Sequence, residues 1–264
     1  MSSSPFDVVK YFERKMLLEM SRVEMIFYLF GKVKTAEDAR KFISDHEITD
    51  KEVEEVVNNC GLTLLQQAVG WKTWEVVECL LEIEGVNLEG GLVASEEYYC
   101  DTLLHLACTN DRYPEVFEHI CSRFPIPNQT NIHGETPLMF AARDMSIEVV
   151  QRLISIGGDV TLEDEDGRTI LHYAAENPYR PQMITFLLDL EPSLDINARD
   201  NDGDPPLFVS LHHDHGSIEA LQVFIDVGAD LTLVNKAGKT VFSLAEENDD
   251  HEEIKALLNE HLPF

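Results

Sequence analysis

Gly167-Arg-Thr-Ile-Leu-His-Tyr-Ala-Ala175 decides how this chain is read, because the same short string returns along its length. It recurs as Gly61-Leu-Thr-Leu-Leu-Gln-Gln-Ala68, Asp101-Thr-Leu-Leu-His-Leu-Ala107, Gly134-Glu-Thr-Pro-Leu-Met-Phe-Ala-Ala142, Gly203-Asp-Pro-Pro-Leu-Phe-Val209 and Gly238-Lys-Thr-Val-Phe-Ser-Leu-Ala245. The threonine position falls at 63, 102, 136, 169, 205 (a proline) and 240, giving spacings of 39, 34, 33, 36 and 35 residues. A second string keeps step with it: Val76-Val-x-x-Leu-Leu81, Val116-Phe-x-x-Ile-Cys121, Val149-Val-x-x-Leu-Ile154, Ile184-x-x-Leu-Leu188, Leu221-x-x-Phe-Ile225 and Ile254-x-x-Leu-Leu258. Two strings in register over the same period mark a repeated structural unit.

Each string has a mechanical meaning. Thr or Pro ahead of a Leu/Ala-rich run supplies an N-cap and a pre-set first helical turn, and paired alanines let a second helix approach closely. The second string places apolar residues at i, i+1, i+4 and i+5, the buried stripe of that second helix. Ile156-Gly-Gly-Asp-Val160 and Val227-Gly-Ala-Asp-Leu231 then put glycine where a left-handed C-cap is needed, and Asp164-Glu-Asp-Gly167 and Asp200-Asn-Asp-Gly203 turn the chain into the next unit. Each unit therefore reads as helix, turn, helix, hairpin loop.

These strings resemble the T-P-L-H-x-A-A and G-A-D-x-N motifs of ankyrin repeats, and the resemblance covers roughly residues 56–264 as six units: 56–92, 93–130, 131–163, 164–199, 200–234 and 235–264. It implies an all-α solenoid of stacked helix-turn-helix units with hairpin loops. The first unit departs at Gln66, where the family favours histidine. The fifth departs at Pro205-Pro206 and at Ser210-Leu211, which replace Thr-Pro and the alanines. The final helix, Asp249 to Leu262, is highly charged, as a solvent-facing end of the array must be.

Residues 1–55 do not match the repeat. Phe12, Met16, Met20, Val23, Phe27 and Phe30 lie on one helical face ended by Gly31. Thr35-Ala-Glu-Asp38 starts a second helix through about Ser44, and Thr49-Asp-Lys-Glu52 resembles the start of a third. The segment is expected to cap the open apolar edge of the first repeat; a separate effector or dimerisation module is the alternative.

The chain carries 49 acidic and 20 basic residues, a formal charge of −29, on an ordinary hydrophobic fraction of 44%. That composition excludes an acidic disordered tail and disfavours broad contact with nucleic acid or an anionic bilayer. Residues 1–60 hold 12 acidic and 9 basic side chains, so the repeats carry almost all of the excess. The amino terminus lacks the basic patch and apolar core of a secretory signal, and no run is long enough to span a membrane, so a cytoplasmic or nuclear, non-secreted chain is expected. Cys60, Cys79, Cys100, Cys108 and Cys121, an odd set without a C-x-x-C pair, suit reduced thiols.

Residues that could carry chemistry are few. His105 and His172 stand at the fourth position of their strings, where the resemblance implies an imidazole that bonds backbone and ties adjacent repeats together. Cys108, three residues after His105, is expected to be a buried inert thiol rather than a nucleophile. His212-His-Asp-His215 offers two convergent nitrogens at most, a weak metal site, and the carboxylates at 164–166 and 200–204 lack the bidentate Glu of a calcium loop. Phosphate-loop, hydrolase and zinc-protease motifs are absent. No catalytic residue, cofactor or metal is expected.

The resemblance instead implies a partner-binding face built from hairpin tips and first-helix ends. Carried over by register, it comprises Tyr98, Tyr99 and Asp101; His133, Glu135, Arg143 and Asp144; Glu165, Asp166, Arg168, Glu176 and Asn177; Asn201, Asp202, Asp204, His212 and His213; and Lys236 and Lys239 at the far end. Tyr98-Tyr99 is the anchor candidate, with packing inside the loop Glu84 to Cys100 as the alternative. The expected function is a non-enzymatic, monomeric module that scaffolds or sequesters a protein with a basic surface. Its plan is similar to the cytoplasmic inhibitors of Rel-type transcription factors, although no Asp-Ser-Gly-x-x-Ser degron is present. A pathogen effector acting through residues 1–55, an enzyme centred on that segment or on His105 and Cys108, and a ubiquitin-ligase adaptor are further alternatives.

Overall fold

The computed structural model describes residues 26, 32–33, 35–48, 65, 68, 74–81, 101–109, 114–123, 126–211, 218–247 and 252–261. The chain divides into two compact units, residues 1–103 and 104–264. In the first, α1 (Ala36–Asp45) and α2 (Trp74–Leu81) pack against each other. Thr35 caps α1 as the sequence predicts, its hydroxyl oxygen accepting from the Asp38 amide at 3.1 Å. Phe42 of α1 and Val76, Val77 and Leu80 of α2 are buried. The predicted helices over Phe12–Phe30 and from Thr49, and the expected boundary near residue 55, lie outside the described residues apart from Ile26, which is helical and buried.

The second unit repeats one plan. First helices α3 (Leu103–Ala107), α5 (Pro137–Asp144), α7 (Ile170–Ala175), α9 (Pro206–Val209) and α11 (Val241–Glu246) alternate with second helices α4 (Pro114–Arg123), α6 (Ile147–Ser155), α8 (Gln182–Leu190), α10 (Ile218–Asp226) and α12 (Glu252–His261). Along the stack α5, α7, α9 and α11 form one row and α8, α10 and α12 another. The core lies between the rows: Leu138, Leu171, Leu207 and Leu244 face Leu153, Leu187, Phe224 and Leu258, all buried. Ala141, Ala142, Ala174 and Ala175 are buried too, small enough for first helices to approach one another. The caps follow the motif, with the Thr136 and Thr240 hydroxyls accepting from the Met139 and Ser243 amides at 3.3 and 3.2 Å. Proline removes that cap at 205, and α9 is the shortest helix described, at 4 residues.

Between units the chain turns through a tip of constant geometry. Asn131, Asp164 and Asp200 each accept two backbone amides on Oδ1, two and four residues ahead, at 2.8–3.1 Å. Asn235 accepts the amide of Lys239 in the same way at 2.9 Å. Successive tips are joined by main-chain bonds: the amides of Glu165, Asn201 and Lys236 donate to the carbonyls of His133, Asp166 and Asp202 at 2.9, 2.7 and 2.9 Å. The tips also hold left-handed glycines, Gly134, Gly167, Gly203 and Gly238, while Gly157 and Gly228 take the same conformation after second helices. At Gly134 φ is +76°, and a Cβ there would come within 2.8 Å of the Glu165 amide nitrogen in the next tip. At Gly238 φ is +77° with open space around it. Gly134→Ala is therefore expected to cost about 2–3 kcal/mol and Gly238→Ala about 1 kcal/mol. Chemical denaturation of the two variants checks the order, and equal losses would mean that tip-to-tip contact is energetically irrelevant.

Candidate protein-binding face

His172 shows how a first helix is fixed to its neighbour. The Thr169 amide donates to Nδ1 at 3.0 Å, so the ring proton sits on Nε2, which donates to the Asp204 carbonyl at 3.1 Å. His105 Nε2 makes the equivalent bond to the Glu135 carbonyl at 2.8 Å. Burial lowers both rings below the ordinary histidine range, His105 to about 4. Both therefore act as neutral inter-repeat ties, the structural role expected of them. Cys108 is fully buried beside this core, and desolvation raises its thiol far above the ordinary range, which makes it a poor nucleophile. Cys121 is also buried and raised to about 12, first by desolvation.

The predicted partner-facing residues separate into three groups. Glu165, Asp166 and Asp202 are exposed at the tips, and with Glu163 they are in no ion pair with described residues. Asn201 belongs to the same rim; its side-chain amide donates to the Glu165 carbonyl at 3.0 Å. Lys236 reaches back to the Asn201 carbonyl at 2.5 Å, and Lys239 pairs with Glu247 at 2.8 Å. His133 is exposed and lends its carbonyl to the Glu165 amide.

A second group is occupied internally. Arg143 lies over the Phe140 ring, 5.0 Å from its centroid, and bonds Asp144 at 3.0 Å and Glu176 at 3.4 Å. Arg168 bonds the other oxygen of Glu176 and lies 4.5 Å from the Tyr173 centroid. Burial alone would lower both guanidiniums, but the carboxylates outweigh it and raise them. Asn177 donates to the Arg143 carbonyl at 2.6 Å. This stretch is balanced in charge, so the acidic excess of the predicted face is carried by the tips.

The third group does not face a partner. Asp101 is only 6% exposed and Asp204 7%, and Asp204 Oδ1 accepts from the Asn235 side chain at 2.6 Å. Both are corrected from partner-facing to interior positions: each stands just ahead of a helix start, where the chain has already turned inward. Tyr98, Tyr99, His212, His213 and the His212–His215 cluster lie outside the described residues.

Two tyrosines absent from the expected set matter here. The Tyr173 hydroxyl sits 2.6 Å from Asp164 Oδ2 and 2.9 Å from Glu135 Oε1, and Asn131 donates to the other Glu135 oxygen at 2.7 Å. Tyr173 thus ties two tips to a first helix, and burial, then the bond to Asp164, raises its hydroxyl well above the ordinary range. Tyr179 is the opposite case, 84% exposed on the turn between α7 and α8.

Rows of short helices joined by stitched tips, with their buried histidines spent on structure, define a repeat scaffold. Residues 104–200 match the family model for ankyrin repeats, in three copies, and this part of the chain is an ankyrin-repeat array. The chain is similar to human Rabankyrin-5, 29% identical over 171 residues that cover 61% of this chain and 14% of that protein. It is similar to the putative E3 ubiquitin-protein ligase XBAT31 of Arabidopsis thaliana, 29% identical over 48% of this chain and 30% of the relative. It is also similar to human neurogenic locus notch homolog protein 1, 33% identical over 45% and 4%. The chain thus spans less than a third of these relatives, and what it shares with proteins so differently named is the repeat, a protein-protein interaction module. Among the described residues no helix is long and apolar enough to cross a membrane.

Proposed function

We propose that this chain binds a protein partner presenting a basic segment, through the exposed carboxylates of its hairpin tips. The observation that supports this is the state of Glu163, Glu165, Asp166 and Asp202: exposed, in no ion pair with described residues, and carried on tips locked to one another by backbone hydrogen bonds. A rigid row of unneutralised carboxylates speeds encounter with a basic segment and rejects acidic competitors. The chemistry of the buried histidines and thiols supports no competing enzymatic reading.

Selection of a random dodecapeptide library on the full chain tests this. Segments rich in Lys and Arg are expected, with affinity falling steeply as salt is raised. In the triple variant E165K/D166K/D202K that affinity should fall by about tenfold or more. Selection of neutral or acidic segments, or full binding by the triple variant, overturns the proposal.

A further inference from the structure

The turn from α7 to α8 reads Glu176-Asn-Pro-Tyr-Arg-Pro181 and is one residue longer than its counterpart between α5 and α6, counting from Ala175 to Ile184 against Ala142 to Val150. Its shape is held from both sides. Asn177 Oδ1 accepts the Tyr179 amide at 3.0 Å, while Asn177 Nδ2 donates to the Arg143 carbonyl of the preceding unit at 2.6 Å. Proline stands on each side of the Tyr179-Arg180 pair, and Pro181, with φ at −62°, sits at the N-cap of α8. The result is a large aromatic ring held out on a braced turn, with little conformational freedom left to lose on binding.

This unit and the one before it show what such a ring accepts. Arg143 lies over Phe140 and Arg168 over Tyr173, so two aromatic rings on neighbouring first helices already carry a guanidinium. Tyr179 is aromatic like them, yet it has no ring contact or hydrogen bond from its side chain to described residues. Leaving a tyrosine so exposed yields no folding benefit, whereas its face is open to a cation from outside. The charge of the array favours that cation: Glu165, Asp166 and Asp202 attract basic segments to this part of the stack.

We infer that Tyr179 is an anchor on whose ring an arginine of the basic partner segment stacks. This deepens the basic-partner reading and rests on it. α7 has 6 residues, about 9 Å of helix, so an extended segment can place a basic residue against the tip carboxylates and an arginine a few residues away on Tyr179.

The test uses one arginine-containing dodecapeptide from the selection above, synthesised with arginine or with its neutral isostere citrulline, and titrated into the full chain by fluorescence anisotropy. Tyr179→Ala is expected to weaken the arginine peptide by about tenfold, Tyr179→Leu nearly as much, and Tyr179→Phe by less than about threefold. Citrulline at the anchoring position should reproduce the Tyr179→Ala loss in the wild-type chain and cause no further loss in the variant. Unchanged thermal melting confirms that the surface substitutions leave the fold intact. Full binding by Tyr179→Ala, full binding by Tyr179→Leu, or indifference to citrulline overturns the anchor. Loss in E165K/D166K/D202K without loss in Tyr179→Ala overturns the anchor and leaves the basic-partner reading standing. Selected segments without basic residues remove both.

Discussion

Replacing Tyr173 with alanine is expected to destabilise the repeat array by about 4 kcal/mol, the largest single-residue loss anticipated here. The ring is fully buried on α7, so its removal leaves a cavity in a row of helices that already pack through small alanines and cannot close around it. The hydroxyl adds a second cost, because Glu135 and Asp164 lose the donor they converge on. Tyr173→Phe separates the two contributions and should cost about 1–3 kcal/mol. Urea denaturation of both variants checks this. A phenylalanine variant as stable as the wild type would show that the carboxylates are satisfied elsewhere, and a mild alanine variant that the stack rearranges freely.

Acidification should weaken the fold through His105. The ring is neutral in the fold, its pKa lowered to about 4, while the unfolded chain takes up the proton near the ordinary value of 6.5. Between those values the unfolded state binds more protons than the folded one, so stability is complete above about pH 6.5, falls as pH drops, and levels off below about pH 4. A displacement of that size corresponds to about 3 kcal/mol. His172 is shifted in the same direction by burial and adds to the loss. Protonating carboxylates on a chain of charge −29 relieves self-repulsion and acts the other way, so the histidine contribution is read as a difference between variants. His105→Gln, which keeps a donor for the Glu135 carbonyl, should start less stable at neutral pH and lose about 3 kcal/mol less on acidification. Parallel pH profiles for the two proteins would remove His105 as the cause.

The repeat plan was legible because its signals are periodic. A threonine, a pair of small residues and an apolar stripe recur in step, and the caps at Thr136 and Thr240, the left-handed turn glycines and the ties at His105 and His172 follow from them. The exposure of the tip side chains was legible only in part. Register says which residue stands at a tip, and so identified Glu165, Asp166 and Asp202, but it does not say which way a side chain points. Asp204 shares its tip with Asp202 yet turns inward to Asn235, a partner 31 residues away that no local pattern announces. The neutralisation of Glu176 depends likewise on Arg143 from the preceding unit as well as on Arg168 of its own. Tyr173 gave no warning, since the matching position in the other units is held by Gln67, Leu106, Phe140, Val209 and Leu244, none of them a tyrosine. Tyr179 had a faint signal in its flanking prolines and its extra residue.

The ladder of main-chain bonds from tip to tip also limits how anything can be recognised. Amides at Glu165, Asn201 and Lys236 already donate to the preceding tip, and the carbonyls of His133, Asp166 and Asp202 are already filled. A visiting strand meets these groups already engaged, which disfavours recognition by strand addition at the tips between His133 and Lys236. Specificity must then be written in side chains, which can change without disturbing the ladder beneath them, and the scaffold can acquire a new partner while keeping its backbone.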